Sequence, residues 1–322
     1  MNPMDYSVEA IHGAAAREFR VHRQFLWGLC YRMTGSAADA DDLVQEAFVR
    51  AIERPPRDAR DGWGASLARV ATSLSIDALR RRKRRNYVGP WLPAPIETGD
   101  EASPPGCGIA PPEAAAARRY DRIESVSVAF LLALERLTAR QRAVLILRDV
   151  FDYSVQEAAR ALDLTQTHVK VTGHRARQEM QEYDAVRLPP TRERQTRTAD
   201  RLREFLEHLQ NQNVAGTEAM LAADARAVND GAGEFHAARQ IIAGRKPVAR
   251  LMLGLAAKRG PDTHIAFRML NGMPALVADS AARGGLAPRY TFQIELDAAG
   301  RIAAVHLVLA TRKLVAVRFD GM

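Results

Sequence analysis

Three clusters of side chains in this 322-residue chain carry chemistry suited to gripping a polyanion or a charged protein surface. The first is Gln166, His168 and Lys170, followed by His174, Arg175 and Arg177. A glutamine amide matches the donor–acceptor edge of adenine, and a lysine ammonium matches the acceptors of guanine. The later basic residues suit phosphate oxygens, which position a reader without specifying sequence. The second cluster is the run Arg80, Arg81, Arg82, Lys83, Arg84 and Arg85. Six basic residues exceed what a helix C-terminus needs to offset its dipole, so phosphate neutralisation with counterion release is the better account. Arg69, Thr72 and Ser73 lie upstream, and their hydroxyls suit the edges of unstacked bases. The third cluster is acidic: Asp39, Asp41, Asp42 and Glu46 lie on one face of a helix, and acidic residues in a first turn suit its N-terminus.

The elements that must hold these clusters are legible in the periodicity. Residues 141–180 read as a helix-turn-helix. Val144, Leu145, Ile146 and Leu147 make the first helix apolar. Ser154 and Glu157 form a capping box at the start of the second, whose buried stripe is Val155, Ala158, Ala159 and Leu162. Asp163-Leu164-Thr165 is the turn. The third helix buries Val169, Gly173, Ala176 and Met180 and turns its basic residues outward, as a major-groove reader does. Residues 14–85 read as another all-helical block. Its first helix carries Phe19, Val21, Phe25, Leu26 and Leu29, its second buries Leu43, Val44, Ala47, Phe48 and Ala51, and its third ends in the basic run. Asp77 is expected to pair with Arg80 or Arg81.

Residues 86–117 hold seven of the sixteen prolines, four acidic residues and no lysine or arginine, the composition of an extended acidic linker. Trp91-Leu92-Pro93 within it is an apolar segment expected to dock on another surface. Residues 118–185 form the second helical block. Residues 198–322 change period. A helix over 199–210 and further helix over 220–228 and 237–255 give way to alternating runs at 264–270, 274–278, 289–296 and 302–309. Asn271-Gly272 and Ala298-Ala299-Gly300 are hairpin turns between them. The chain is thus multi-domain, with two all-α domains followed by an α+β domain.

The formal charge of +8 invites nucleic acid as a partner, but its distribution matters. Residues 191–322 carry 19 Lys/Arg against 13 Asp/Glu, whereas residues 1–190 carry 27 against 25. The helix-turn-helix half must therefore bind DNA through local clusters. No apolar run reaches membrane length, and the first residues lack a basic-then-apolar leader, so the expected location is the cytoplasm with no membrane partner. Cys30 and Cys107 are too few for a disulfide framework or a zinc site. No catalytic, metal or cofactor motif is read, so neither enzyme activity nor a cofactor is expected.

Taken together, these blocks resemble a bacterial sigma factor of the extracytoplasmic-function group. Asp42-Leu43-Val44-Gln45-Glu46-Ala47-Phe48 is similar to the helix with which that group binds the polymerase clamp. Residues 72–80 resemble its −10 recognition segment, and Leu137-Thr138, Gln141-Arg142, Val169-Lys170 and His174 to Arg177 resemble its −35 domain. Tyr87-Val88-Gly89-Pro90-Trp91-Leu92-Pro93-Ala94-Pro95 is similar to the linker of the subgroup that carries a C-terminal SnoaL-like domain, a cone-shaped α+β fold. Asp230 to Glu234 and Asn271 to Ala275 fall at that subgroup's D-G-G-G-K and N-G-x-P-A motifs. This sequence departs from the family at Ser66 for a tryptophan, Ala94 for a glutamate and Glu234 for a lysine.

The resemblance implies core RNA polymerase, through its clamp and flap, and promoter DNA as partners. It assigns Asp42, Gln45 and Glu46 to polymerase. Arg69, Thr72, Ser73 and residues 80–85 go to the −10 element, and Gln166, His168, Lys170, His174, Arg175 and Arg177 to the −35 element. It implies that Trp91, Leu92, Pro93, Asp230 and Glu234 form a regulatory contact through which the C-terminal domain tunes activity. Two other readings stay open. One is a ligand-responsive DNA-binding regulator that works without polymerase. The other is a sigma factor whose C-terminal cavity, with a small ligand, works as an isomerase or hydrolase, for which Asp230, His236 and His264 are the available groups.

Overall fold

The computed structural model describes residues 8–54, 62–84, 87–99, 119–259, 262–281 and 284–319. Two units divide the chain: residues 1–85 with 103–187, and residues 86–102 with 188–322.

The first unit is helical. Helix α1 (Val8–Thr34) packs on α2 (Ala37–Glu53) and α3 (Trp63–Arg84). Ser36 caps α2 by accepting from the Asp39 amide at 3.2 Å. The apolar face read for α2 is buried, including Leu43 and Phe48. One position of the α1 stripe departs from expectation: Val21 is exposed. The second block runs through α4 (Val128–Ala133), α5 (Ala139–Leu145), α6 (Val155–Leu162), α7 (Gln166–Glu179) and α8 (Gln181–Val186). Helix α5 continues as a π-helical turn over Ile146–Val150. Both α5 and α6 open with a capping box, Thr138 with Gln141 and Ser154 with Glu157. Asp163 ends α6 in the left-handed region at φ 52°, and Thr165 caps α7. A Cβ at Gly173 would lie 3.4 Å from Val144 Cγ1, so this glycine sets the close approach of α7 to α5.

Within this unit α3 packs against α5 and α6, tying the two helical blocks together. Buried arginines hold that seam. Arg32 donates to Ser125 Oγ at 2.8 Å and to the Arg122 carbonyl at 2.9 Å. Arg142 donates to the Met33 carbonyl at 2.8 Å and to Glu135 at 2.9 Å. Arg82 reaches Glu135 at 2.5 Å and the Thr34 carbonyl at 2.7 Å.

The second unit is α+β. Helix α9 (Arg192–Gln210) begins seven residues ahead of the apolar stripe that revealed it, because its first two turns are polar and Arg-rich. Helix α10 (Val214–Met220) leads into strand β1 (Leu221–Asp230), then β2 (Ile242–Ala243) and α11 (Arg245–Ala257). Strands β3 (His264–Leu270), β4 (Met273–Asp279), β5 (Arg289–Leu296) and β6 (Ile302–Val308) complete one sheet of order β2-β1-β6-β5-β4-β3. Residues 221–228, expected as helix, form β1. Their alanines favour helix locally, but parallel pairing with β6 overrides that preference. Residues 237–243 are likewise not helical, and α11 starts only after Gly244, at φ 98°. The β3–β4 turn has Asn271 at φ 52° and Gly272 at φ 77°, as a tight hairpin requires. Leu202, Phe205 and Leu209 of α9 and Val248 and Met252 of α11 pack with Ala227, Phe292, Ile294 and Val305 of the sheet.

Burial pushes the Glu135 carboxyl up, but the charges of Arg142 and Arg82 outweigh it and hold Glu135 below the usual 4.5. A folded value below the unfolded one means that its stabilisation is complete above that value and is lost as pH falls through the folded one. Glu135→Gln should therefore be less stable than the parent at about pH 7, with the gap narrowing as pH falls below 4.5. Urea unfolding across this pH range checks this.

Candidate functional site

The helical unit presents its charged clusters on distinct elements. Asp42, Gln45 and Glu46 are all exposed on the face of α2 opposite its buried stripe. Glu46 also pairs with Arg50 one turn on, at 2.7 Å. On α3, Arg69 and Ser73 reach the surface. Thr72 does not: it is 1% exposed, and its hydroxyl donates to the Ala68 carbonyl at 2.7 Å. Helix packing, not base chemistry, accounts for that threonine here. Arg80, Arg81, Lys83 and Arg84 line an exposed groove with Asp77, which pairs with Arg80 at 3.3 Å. Arg82 leaves the run and turns inward to the Glu135 seam. Arg85 lies outside the described residues.

On α7, Gln166, His168, Lys170, His174 and Arg175 are exposed, and Val169, Gly173 and Ala176 face inward. Arg177 is a correction to the basic cluster. Its guanidinium forks onto Asp149 at 2.8 and 2.6 Å, and Asp149 is 5% exposed. A bidentate pair on a buried carboxylate is a structural tie rather than a free phosphate grip.

The sheet unit builds its site around one carboxylate. Asp230 ends β1 fully buried. Its Oδ1 accepts from the Tyr87 hydroxyl at 2.5 Å and from the Ala232 amide at 3.2 Å. Its Oδ2 accepts from the Leu92 amide at 2.7 Å and from Lys313 Nζ at 2.5 Å. Lys313 also donates to the Leu92 carbonyl at 2.5 Å and lies 4.7 Å from the Trp91 ring and 4.9 Å from the Tyr87 ring. Both backbone groups of Leu92 are thus held by side chains of the sheet unit. Further along, the Ile96 amide donates to Asn271 Oδ1 at 3.2 Å, and the Asn271 amide donates to the Ile96 carbonyl at 2.9 Å. Glu97 accepts from the Arg318 amide and guanidinium at 2.7 and 2.8 Å. Leu92 to Glu97, Pro93 included, are buried.

Of the residues expected to meet here, Trp91, Leu92 and Asp230 do. Glu234 does not: its carboxylate accepts from the Thr311 amide at 3.0 Å. The missing base is supplied from elsewhere, by Lys313, a residue sequence reasoning overlooked along with Tyr87, Glu97 and Arg318. A signal did exist. An aspartate inside an apolar strand needs a cation, and Lys313 is one of few in the apolar C-terminal segment. Among the described residues, neither His236 nor His264 hydrogen-bonds to Asp230.

A helix-turn-helix with an exposed polar and basic third helix, a second helical block ending in exposed cations, and a docked linker define a two-grip DNA-binding protein. Comparison with known proteins gives the family. The model of sigma-70 region 2 matches residues 19–85, and that of sigma-70 region 4 matches residues 127–180. The chain is 30% identical over 248 residues to the ECF RNA polymerase sigma factor SigJ of Mycobacterium tuberculosis, covering 76% of this chain and 74% of the relative. It is 34% identical over 186 residues to SigG of the same organism, covering 50% and 46%. The crystal structure of M. tuberculosis SigJ matches its fold with a TM-score of 0.67 at 24% identity, over 94% of this chain and 98% of that one. The chain belongs to the extracytoplasmic-function sigma factors of the sigma-70 family, and it is a promoter-recognising factor for RNA polymerase. The described residues contain no helix long and apolar enough to cross a membrane.

Lys313→Met would leave the buried Asp230 carboxylate without its cation, a loss of about 3 kcal/mol for a broken buried pair. Hydrogen exchange over residues 87–99 should accelerate in the full-length variant. Unchanged protection of the Leu92 amide would show that Lys313 does not hold the linker.

Proposed function

We propose that the sheet unit of this sigma factor restrains its activity by holding the linker, and that core polymerase is the competitor that frees it. The observation carrying this reading is the grip of Asp230 and Lys313 on both backbone groups of Leu92. In the family the acidic linker passes through a channel shaped for nucleic acid. A segment whose residues 92–97 are buried against the sheet unit is not available for that path.

Polymerase would meet Asp42, Gln45 and Glu46 through its clamp, and the region 4 block through its flap. Arg69, Ser73, Arg80, Arg81, Lys83 and Arg84 would take the −10 element, the hydroxyl at base edges and the cations at phosphates. Gln166, His168 and Lys170 would enter the −35 major groove, with His174 and Arg175 behind them on phosphate. The two grips must separate to do this. Packed helix axes lie about 8–10 Å apart, and α3 reaches α7 through α6, so the grips are roughly 20 Å apart. Promoter elements separated by about 25 base pairs lie roughly 80 Å apart at about 3.4 Å per pair. Polymerase binding would supply the energy to open the Arg32, Arg82 and Arg142 seam.

Lys170→Ala and Gln166→Ala should each weaken holoenzyme binding to the cognate promoter by about 1–3 kcal/mol and relax selectivity at the −35 element. Equal affinity for promoters with and without that element in the parent would remove the assignment. Run-off transcription with core polymerase, comparing the full chain with residues 1–190, tests the restraint. The shorter chain should give higher output at limiting polymerase, and identical output would exclude control by the sheet unit.

A further inference from the structure

The sheet unit contains a cavity of about 310 Å³ between the sheet and α11, whose lining shares no residue with the Asp230 cluster. Strand alternation explains the separation. Neighbouring residues of β1 face opposite sides of the sheet, so Asp230 faces the linker and Asn229 faces the cavity. Asn229 is 3% exposed, lines the cavity, and has no hydrogen-bond partner for either its Oδ1 or its Nδ2. An orphaned buried amide is destabilising, because its desolvation is uncompensated.

A second unpaired group lines the same cavity. Arg259 Nη1 is buried without a hydrogen-bond partner, and its guanidinium lies 3.6 Å over the Tyr290 ring. Burial lowers the Arg259 pKa to about 10, the response of a cation that lacks a compensating anion. The remaining lining is largely apolar, with Leu251, Leu255, Leu286, Leu307 and Leu309. Among the described residues, Lys258, Arg259 and Asp262 are the lining residues of fixed formal charge, and they leave one net positive charge. That favours a monoanion over a phosphate dianion. The volume falls at the lower end of small-molecule sites, which range over about 300–1,000 Å³.

We propose that this cavity binds a small monocarboxylate with an apolar body, its carboxylate held by Arg259 and a second hydrogen-bonding group held by Asn229. A planar carboxylate fits a guanidinium fork, and a hydroxyl, keto or amide group satisfies an asparagine that offers both donor and acceptor. The proposal draws on the regulatory reading only for what binding would do to transcription.

The test is binding to the full-length protein without polymerase, so its failure leaves the restraint by the linker standing. Aromatic and straight-chain hydroxy- and keto-monocarboxylates of six to ten carbons are titrated by calorimetry and thermal shift, each beside its neutral primary amide. At least one acid should bind saturably, at least tenfold tighter than its amide. Arg259→Met should weaken that acid at least tenfold, and Asn229→Leu should weaken it while leaving the melting temperature of the unliganded protein no lower than the parent's. Because Asn229→Leu removes an orphaned polar group, lost binding there cannot be blamed on misfolding. Absence of binding across the series, equal binding of acids and amides, or full binding by both variants would each overturn the proposal.

Discussion

The sheet unit depends on one fully buried negative charge, Asp230. Moving a carboxylate out of water costs several kcal/mol unless a cation and hydrogen-bond donors surround it. Asp230 meets that requirement with one lysine, one phenol and two backbone amides. Two of those four donors, Tyr87 and Leu92, lie in the linker, so removing the linker would strip the carboxylate of half its donors. The linker in turn gains nothing from its own composition, since prolines preclude internal hydrogen bonding. Its backbone is satisfied by the sheet unit: by Asp230 and Lys313 at Leu92, by Asn271 at Ile96, and by the Met269 carbonyl at Thr98. Each side thus solves the other's desolvation problem.

The helical unit applies the same electrostatic rule to opposite ends. Arg32, Arg142 and Arg177 look on paper like further DNA-binding cations. They are instead buried or half-buried and donate to carbonyls, Ser125, Glu135 and Asp149. The cations that stay exposed are four of the first five in the run ending α3 and those on the outer face of α7. This division explains how a half-chain with 27 basic and 25 acidic residues can still carry two local positive surfaces. Much of its charge is consumed in internal pairs.

Legibility in the sequence followed the range of the forces involved. Helix caps, the turn at Asp163 and the hairpin at Asn271-Gly272 are local, and each was readable from a few adjacent residues. The strands β3 to β6 are bounded by turn residues, and their sequence limits fall within a residue or two of the observed ones. Strand β1 was not legible, because its alanines carry helix propensity and its partner β6 lies about eighty residues away. Burial of Thr72, the inward turn of Arg82 and the Arg177–Asp149 fork were invisible for the same reason, as each depends on a distant helix. The linker contact is legible through Trp91, Leu92 and Asp230, but Glu234, expected in the same contact, lies outside it, and no motif marks the cation. Here Lys313, more than two hundred residues from Leu92, does that work. A motif records where a charge sits along the chain, whereas electrostatics requires only where it sits in space.

The strength of the linker's attachment decides how it can be released. Leu92 and Ile96 are almost fully buried, and burying such side chains contributes about 1.5–3 kcal/mol each. Before any hydrogen bond is counted, release therefore opposes about 3–6 kcal/mol, and every 1.4 kcal/mol is about tenfold in population. The conformational entropy that the linker regains on release offsets part of this term. Release would also uncover the end of β3, an edge strand whose Met269 carbonyl and Leu270 neighbourhood the linker now pairs, and exposed edges invite pairing with other chains. On the proposed restraint, release needs a competitor that binds the linker more tightly than the sheet unit does, and a segment that carries no lysine or arginine is suited by its charge to a basic surface.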